Sequence, residues 1–518
     1  MLAIDAGTTG VTALLVTENG QVAAKGYEEF AQHFPRPGWV EHNPEDIWQA
    51  TLAACATALR DAGDPPSCLG ITNQRETAVL WDRRTLAAPR RAIVWQDRRT
   101  SGMCERLRAA GHEERVAELT GLRLDPYFTA TKLAWLAAND PRAWAGVESG
   151  NVAVGTVDSY LVARLTAGAR HVTDPSNASR TLLYGLASGR WEPELCELFG
   201  VPGRALPEIV PSHGPVGRTD PAAFLGLELP ISGLAGDQQA ALFGQTCFAA
   251  GEVKCTYGTG SFVLAGTGTE LVRSRAGLLT TVAWQEPSGE RAFALEGSIF
   301  VTGAAVQWLR DGLGVIGTAP ESEALARSVP DSGGVVFVPA LTGLGAPYWD
   351  PEARGLIAGI TRGTTRAHLV RATLEAIAFE VRDVTEAMAG EITTGREAAG
   401  EGTASGGTAS GGTAGEGTAG AGAAAVPVLK ADGGASANDL LMQLQADQLG
   451  VPVERPVVRE TTALGAAFLA GLGSGVWGSR AELRETWRLD RRFEPGARDD
   501  AAYERWRAAV RLAAARLS

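Results

Sequence analysis

The chain opens with Met1-Leu2-Ala3-Ile4-Asp5-Ala6-Gly7-Thr8-Thr9-Gly10, a short apolar run that ends in a corner rich in glycine and threonine. A second apolar run at 11–17 follows at once, so the pattern predicts two antiparallel strands joined by a polar turn. Backbone amides and hydroxyl groups at such a corner can hold phosphate oxygens, and an aspartate at the end of the strand can hold hydrated magnesium. Taken alone, this corner is also compatible with an ordinary hairpin turn.

Two later stretches contain corners of the same kind. The first is Thr256-Tyr257-Gly258-Thr259-Gly260-Ser261-Phe262, where hydroxyl groups and glycines again follow an extended segment. The second is residues 429–438, where a strand breaks into glycines and a helix begins. Glycines and helix N-termini let a flat or anionic ligand approach the backbone closely. The set of three corners resembles the actin/hexokinase/Hsp70 superfamily, whose two similar domains clamp ATP in a cleft.

This resemblance implies an α/β fold with two actin-like (ribonuclease H-like) domains, each built on a central mixed sheet. A length of 518 residues also exceeds that of one ordinary domain. We expect an N-terminal domain at 1–245, with the substrate residues and the first phosphate loop. A C-terminal domain at 246–518 would hold the second phosphate loop and the adenosine site, and the active site would lie in the cleft between the domains.

Composition excludes several classes of protein. A formal net charge of -12 disfavours electrostatic binding to nucleic acid or to an anionic membrane. The N-terminus has neither the basic nor the apolar region of a signal peptide, and no apolar run of about eighteen residues predicts a membrane span. The six cysteines form no CxxC pair, which is typical of reduced thiols. We therefore expect a cytoplasmic protein without an integral membrane segment.

Two helices and one unusual tract can be predicted from the chain. Residues 368–388 carry apolar side chains at spacings of three and four, and residues 438–449 end at Gly450, which suits a helix C-cap. Residues 397–425 consist almost wholly of Gly, Ala, Thr, Ser and Glu. Such a tract has little apolar surface to offset its ordering entropy, so it predicts a disordered low-complexity insertion.

Several common catalytic signatures are missing. None of the four lysines stands in the Gly-Lys-Ser/Thr context of a P-loop, and no Gly-x-Ser-x-Gly elbow presents a nucleophile. The six histidines lack the spacing of a zinc site. The three glycine-rich corners therefore remain the main candidates for chemistry.

A set of polar motifs narrows the choice of family within this superfamily. They are PGWVEH (37–42), GITNQRET (70–77), IVWQ (93–96), DPYF (125–128), TK (131–132), ISGLAGDQQ (231–239) and TGLGAPYWD (342–350). This set resembles the FGGY carbohydrate kinases, and among them the members that phosphorylate glycerol. The similarity extends from the first strand to about Trp477.

The resemblance implies a set of residues that bind glycerol: Arg75, Glu76, Trp95, Tyr127, Asp237, Gln238 and Phe262. In this set Arg75 would donate hydrogen bonds to the substrate hydroxyl groups and Glu76 would accept them. Trp95 and Phe262 would line the carbon side of the substrate and exclude water. Asp237 is implied as the general base that faces the terminal hydroxyl group.

The resemblance also implies the nucleotide contacts: Thr8, Thr9 and Gly10 in the first phosphate loop, Gly258 and Thr259 in the second, and Gly303, Gln307, Gly434 and Asn438 beyond them. Asp5 is implied as a magnesium ligand that acts through water. The implied reaction is transfer of the γ-phosphoryl group of ATP to glycerol, giving sn-glycerol 3-phosphate and ADP in glycerol catabolism. The implied cofactors are ATP and Mg²⁺, and the resemblance allows a homodimer or a homotetramer.

The chain also departs from the glycerol-phosphorylating members. Ala6 and Thr12 stand where a glutamine and an arginine are common, and loss of the arginine removes a positive contact near the transferred phosphate. The loop for fructose 1,6-bisphosphate and the histidine that some members phosphorylate are not apparent, so we expect neither form of control. Two alternatives stay open: an FGGY kinase for another polyol or sugar, and a non-catalytic regulator that binds glycerol or a nucleotide.

Overall fold

The computed structural model of this chain describes residues 1–60, 63–398 and 426–515. The elements up to residue 244 are β1 (Leu2–Ala6), β2 (Gly10–Val16), β3 (Val22–Glu29), β4 (Gln32–His33), β5 (Glu41–His42), α1 (Pro44–Arg60), β6 (Leu69–Asn73), β7 (Val79–Asp82), β8 (Ala92–Ile93), α2 (Ser101–Ala109), α3 (Glu113–Thr120), α4 (Thr129–Asn139), α5 (Pro141–Ser149), β9 (Val152–Gly155), α6 (Val157–Leu165), β10 (Val172–Thr173), α7 (Pro175–Ala178), β11 (Tyr184–Gly185), β12 (Arg190–Trp191), α8 (Pro193–Phe199), β13 (Glu208–Ile209), β14 (His213–Arg218), β15 (Pro230–Gly236) and α9 (Asp237–Gly244).

The elements after residue 244 are β16 (Val253–Tyr257), β17 (Ser261–Gly268), β18 (Leu279–Gln285), β19 (Arg291–Ile299), α10 (Gly303–Asp311), α11 (Glu321–Arg327), β20 (Val336–Val338), β21 (Leu356–Ala358), α12 (Arg366–Ala398), β22 (Leu429–Asp432), α13 (Asp439–Leu449), β23 (Val453–Pro456), α14 (Thr461–Gly473), α15 (Arg480–Thr486), β24 (Leu489–Phe493) and α16 (Asp500–Ala514).

The first large sheet has the strand order β14-β15-β6-β1-β2-β3. Strand β1 pairs antiparallel with β2 and parallel with β6, and β6 pairs parallel with β15. The register sets Asn73 beside both Ala6 and Gly236, so three parallel strands end at the same edge of the sheet. The loops that follow them must meet there, which is where ligands bind in sheets of this type.

The second large sheet has the order β18-β19-β17-β16-β22-β23-β24. Its strand β16 pairs antiparallel with β17 and parallel with β22, and β22 pairs parallel with β23. These relations repeat those of β1, β2, β6 and β15 in the first sheet. The prediction of a mixed α/β fold with two similar sheet-containing units is confirmed.

Helix α14 comes late in the chain but packs against the first sheet. Its sequence is almost entirely small or apolar, and residues 463–471 are all buried. A Cβ atom on Gly70 of β6 would lie 2.0 Å from the carbonyl oxygen of Ala466, so only glycine allows this close approach. The hydroxyl group of Ser232 on β15 donates to the carbonyl oxygen of Ala470 at 3.0 Å. Chain segments from both halves therefore form one core here, and the boundary between 245 and 246 stays a prediction.

The two predicted helices are present. Helix α12 includes the predicted residues 368–388 and continues to Ala398, while α13 is capped by the side chain of Asn438 and ends at Gly450 in a left-handed conformation. The predicted insertion at 397–425 lies outside the described residues, except for residues 397 and 398, which end α12. None of the helices within the described ranges has both the length and the apolar character that crossing a bilayer requires.

Candidate active site

Two glycine-rich loops face each other across the site. In the loop between β1 and β2, the amide of Gly7 donates to the carbonyl oxygen of Gly10 at 3.0 Å. In the loop between β16 and β17, the amide of Gly258 donates to the carbonyl oxygen of Gly260 at 2.9 Å. Each loop is thus closed by one backbone hydrogen bond after the first strand of a hairpin, and this bond spans three residues in the first loop and two in the second.

One cavity of about 190 Å³ lies between these loops. Its walls include Thr8, Thr9, Arg75, Glu76, Trp95, Tyr127, Asp237, Gln238, Thr256, Gly258, Thr259, Gly260 and Phe262. All seven residues predicted to bind the substrate are in this set. The edge of the first sheet explains much of the arrangement, because Gly7, Gln74 and Asp237 are the first residues after β1, β6 and β15.

A buried group of four charges lies at the base of this cavity, and two of them, Arg75 and Glu76, line it. The two terminal nitrogens of Arg75 donate to the two carboxylate oxygens of Glu296 at 2.6 and 3.0 Å. Arg180 donates through Nε to Glu76 at 2.7 Å, and its Nη2 lies 3.0 Å from Glu296. Burial alone would raise the pKa of Glu296, but Arg180 and Arg75 outweigh it and lower that pKa to about 2. Glu296 is therefore a fixed negative charge behind the cavity.

Asp237 differs from these groups because its side chain is 26% exposed. It is the first residue of α9, and its Oδ1 accepts a hydrogen bond from the amide of Gln238 at 2.7 Å. The Nε atom of Arg75 lies 3.0 Å from the same oxygen. An accessible carboxylate, held by an arginine beside a polar cavity, can accept a proton from a bound hydroxyl group.

Asp5 lies at the end of β1, close enough to Asp237 for the two charges to interact. Burial, followed by repulsion from Asp237, raises the pKa of Asp5 to about 7. Two neighbouring carboxylates, of which Asp237 is paired with Arg75, suit a hard divalent ion such as Mg²⁺. No cluster of three or more metal-ligating side chains occurs within the described ranges, so an ion here would take most of its ligands from phosphate and water.

Lys254 is a residue of the site that the sequence did not reveal. Its ammonium group is fully buried and donates to Oε1 of Gln238 at 2.6 Å and to Oγ1 of Thr256 at 2.8 Å. Because the amide oxygen of Gln238 is occupied in this way, its NH₂ group is the part that can donate to a ligand. Lys254 stands two residues before Thr256, but nothing in that local pattern points to Gln238.

Three aromatic rings form the apolar wall of the cavity. The ring centroids of Trp95 and Tyr127 lie 5.5 Å apart, and those of Trp95 and Phe262 lie 6.3 Å apart. The indole Nε1 of Trp95 donates to Oγ1 of Thr8 at 2.9 Å, which ties this wall to the first glycine-rich loop. Trp95 also borders a further cavity of about 590 Å³, whose walls include Arg98 and Arg354.

A larger cavity of about 500 Å³ adjoins the second loop. Six residues that the resemblance implies as nucleotide contacts all line it: Gly258, Thr259, Gly303, Gln307, Gly434 and Asn438. The amide of Gly303 donates to the carbonyl oxygen of Gly258 at 3.0 Å, which joins the start of α10 to the loop. The two cavities share Gly258 and Thr259, so this loop can touch both ligands.

Two predicted residues lie outside both cavity walls. Asp5 lies close enough to Asp237 for their charges to interact, and Gly10 closes the first loop through its carbonyl oxygen. A Cβ atom at Gly10 would lie 2.7 Å from the carbonyl oxygen of Glu28, which explains the glycine without a ligand. Conversely, Arg180, Lys254 and Glu296 belong to the site but were not predicted.

Comparison of the sequence with known proteins shows the family to which the chain belongs. The N-terminal domain model of the FGGY family of carbohydrate kinases matches residues 1–244, and the C-terminal domain model matches residues 253–474. The chain is 51% identical to the glycerol kinase of Gloeobacter violaceus over 98% of this chain and 96% of that protein. It is likewise 51% identical to the glycerol kinase of Myxococcus xanthus, over 99% of each chain.

A solved structure, that of Plasmodium falciparum glycerol kinase with ADP, matches with a TM-score of 0.85 and 32% identity. The match covers 100% of this chain and 98% of that one. Both family models match consecutive parts of the chain, and the relatives are similar over nearly its full length. The chain therefore belongs to the FGGY family of carbohydrate kinases.

Proposed function

We propose that this protein is a glycerol kinase, which transfers the γ-phosphoryl group of ATP to glycerol and yields sn-glycerol 3-phosphate and ADP. The observation that carries this proposal is the pair of adjoining cavities joined by Gly258 and Thr259. A small polar cavity holds the acceptor alcohol, a larger one holds the nucleotide, and one loop contacts both. The relatives named glycerol kinase support the choice of substrate.

The small cavity offers the groups that a three-carbon polyol requires. Glu76 supplies an acceptor, Gln238 and Tyr127 supply donors, and the rings of Trp95 and Phe262 cover the carbon chain. Its volume of about 190 Å³ leaves little room for a much larger sugar. In this assignment Asp237 accepts the proton of the hydroxyl group that attacks phosphorus.

Mg²⁺ is the cofactor in this proposal, and it would be held by ATP and, through water, by Asp5. When bound, it supplies positive charge that neutralises the phosphate oxygens. The protein contributes position: the loops at Thr8–Thr9 and Gly258–Thr259 hold the phosphates, while the aromatic wall excludes water from the acceptor. Because phosphoryl transfer depends mainly on alignment and charge neutralisation, these contributions account for catalysis.

A longer polyol or a sugar is the second candidate substrate. The observation in its favour is the cavity of about 590 Å³ that meets the substrate cavity at Trp95. A longer chain could enter this space if the indole ring moved. Glycerol remains the better fit, because in this structure Trp95 is bonded to Thr8 and separates the two spaces.

The deciding experiment is coupled ADP release by the purified protein with Mg-ATP, comparing glycerol, dihydroxyacetone, erythritol, xylulose and gluconate. Fast turnover with glycerol alone supports the proposal and shows that Thr12 is tolerated. Faster turnover with another compound moves the specificity to that substrate and keeps the mechanism. Glycerol binding without any turnover favours a regulator instead.

A further inference from the structure

We propose that Arg180 and Glu296 are positioning residues of the substrate site, which hold Arg75 and Glu76 in the orientation that the acceptor alcohol requires. This inference rests on the proposed function. Neither residue lines the substrate cavity, so neither is expected to touch the alcohol. Their effect would pass through the two residues that do line it.

The four side chains form a closed ring of alternating charge. Glu296 binds Arg75 through two hydrogen bonds at 2.6 and 3.0 Å, and it lies 3.0 Å from Arg180. Arg180 binds Glu76 at 2.7 Å, and Glu76 lies 3.7 Å from Nε of Arg75. A two-pronged pairing between a guanidinium and a carboxylate fixes direction as well as distance. The ring therefore leaves Arg75 and Glu76 little freedom to rotate.

Because the ring is buried, disturbing it would cost much free energy. All four residues are at most 2% exposed, and two positive charges balance two negative ones. Removal of one member would leave a buried charge without its partner, which is far less favourable than the intact group. Glu76 also has a φ of 60°, a left-handed conformation that is strained for glutamate. Its bond to Arg180 offsets that strain and keeps the carboxylate at the cavity.

The chain connectivity gives the ring a function beyond packing. Arg75, Glu76 and Arg180 come from the first half, whereas Glu296 lies on β19 of the second sheet. Strand β19 pairs with β17, where Leu264 is opposite Glu296, and β17 begins directly after the loop at Gly258–Gly260. The same sheet thus carries both the phosphate loop and the carboxylate that orients Arg75. It sets the place of the acceptor relative to the phosphoryl donor.

A purely structural ion network would also be buried, so the test must separate stability from orientation. We would compare Glu296→Gln and Arg180→Gln with a matched control, Arg382→Gln. Arg382 is 4% exposed and binds Gln448, Glu386 and Asp500, none of which lines the substrate cavity. Each variant is assayed for Tm, for kcat and KM with glycerol and ATP, and for glycerol binding by calorimetry without ATP.

We expect Glu296→Gln and Arg180→Gln to lower kcat/KM for glycerol by about 100-fold, as misplaced reacting groups do, with the ATP KM within about threefold of wild type. Calorimetry should show correspondingly weaker glycerol binding. Arg382→Gln should lower the Tm and leave kcat/KM per folded molecule unchanged. If the two ring variants lower only the Tm and leave kcat/KM unchanged, as the control does, the positioning role is refuted.

Glu296→Asp covers the case in which the neutral variants fail to fold. It keeps the charge but shortens the side chain, so it cannot reach Arg75 and Arg180 together. A folded Glu296→Asp enzyme with a lowered kcat/KM supports the proposal, and one with wild-type kinetics overturns it. Failure of the proposed function is distinct, because wild type itself would then not turn over glycerol. The same comparison would then use the alcohol that wild type does accept.

Discussion

The substrate cavity and the nucleotide cavity share one loop but are lined by different kinds of residue. Arg75, Glu76 and Asp237 line the substrate cavity, and Glu296 and Lys254 stand directly behind it. The described walls of the nucleotide cavity contain only two charged side chains, Arg310 and Glu323, and half of their residues are Gly, Ala, Ser or Thr. In the proposed function, the alcohol is recognised by fixed charges and hydrogen bonds, whereas the nucleotide is recognised mainly by small residues and the shape of the backbone.

This difference predicts two kinds of sensitivity. On the substrate side, replacing one charged atom should change activity even when volume is conserved, because the neighbouring charges are buried and paired. On the nucleotide side, adding one methyl group should matter more than changing charge, because the backbone itself forms the wall. The following predictions test this contrast, beginning with the largest expected effect on catalysis.

Asp237→Asn should cause the largest loss. The amide keeps the size of the side chain but cannot accept the hydroxyl proton, so kcat should fall by about 10²–10⁴-fold. Glycerol binding should change much less, because Arg75, Glu76 and Gln238 remain. Steady-state kinetics together with calorimetry would measure both quantities. Near-normal turnover by this variant would remove Asp237 from the role of base.

On the nucleotide side, Gly303→Ala should weaken ATP binding while leaving glycerol binding intact. The added Cβ would lie 2.6 Å from the carbonyl oxygen of Gly258, so the start of α10 and the phosphate loop must separate. Overpacking of this kind costs about 1–3 kcal/mol, which corresponds to an ATP KM raised about tenfold or more. Kinetics at varied ATP and saturating glycerol would show the change.

Gly434→Ala is the matched comparison for that substitution, because it adds a methyl group to the same cavity without displacing the backbone. A Cβ at Gly434 would meet no atom within 4 Å, although the residue lines the same cavity. We therefore expect an unchanged Tm and a raised ATP KM, because the methyl group fills space meant for the nucleotide. If both variants bind ATP as wild type does, the cavity at Gly303 and Gly434 is not the nucleotide site.

On the nucleotide side, the glycine-rich corners at 256–262 and 429–438, which the sequence singled out, contribute walls of the larger cavity, whereas Gly303 and Gln307 were predicted only through the family resemblance. Glycine-rich corners are local features, so the turn after β16 and the glycines before α13 can be recognised within a few residues of chain. Arg75, Glu76 and Asp237 were predicted as substrate residues only through the family resemblance, since an isolated Arg-Glu pair is usually a surface ion pair.

What the sequence could not predict are contacts that depend on register between distant strands. Arg75 and Glu296 are separated by 221 positions, and Arg180 and Glu76 by 104. Glu296 faces the site because β19 pairs with β17 in one particular register, and a shift by one residue would turn it to the other face. The contact of α14 with the first sheet is equally non-local, which is why it did not enter the predicted domain division.

Lys254→Met tests whether a buried charge orients the side chain of Gln238, which is proposed to bind the substrate. The substitution keeps most of the length of the side chain but removes the ammonium group that donates to Gln238 and Thr256, so the amide of Gln238 is free to rotate. We expect a glycerol KM raised about tenfold, the usual consequence of one unmade hydrogen bond to a charged group. Kinetics at varied glycerol and saturating Mg-ATP would measure it.

Lys430→Met is a close control, because Lys430 pairs with Lys254 across the two strands. Its ammonium group also makes two hydrogen bonds, to Gln245 at 2.6 Å and to Thr246 at 3.1 Å, but neither partner lines a cavity of the site. It should lower the Tm without changing the glycerol KM. Equal changes in KM for the two variants would contradict a specific role for Lys254.

The smallest effect on catalysis is expected at Lys132, which supports Tyr127 from behind. Its ammonium group donates to the carbonyl oxygens of Pro126, Tyr127 and Phe128 at 2.8, 2.6 and 3.1 Å. Lys132→Met would leave these three carbonyl groups without that donor, and Tyr127 would be held less firmly. We expect a glycerol KM raised by only a few-fold, on the order of one weak hydrogen bond.

The same residue gives the substrate side a pH dependence that can be isolated. Burial lowers the pKa of Lys132 to about 7, below the value in the unfolded chain. Between pH 7 and the unfolded pKa, the unfolded chain binds more protons, so the contribution of Lys132 to stability rises as the pH rises. Urea unfolding at pH 6 and pH 9 should therefore show wild type gaining on the order of 2 kcal/mol relative to Lys132→Met. A difference between the two proteins that is the same at both pH values would show that the Lys132 ammonium keeps an ordinary pKa.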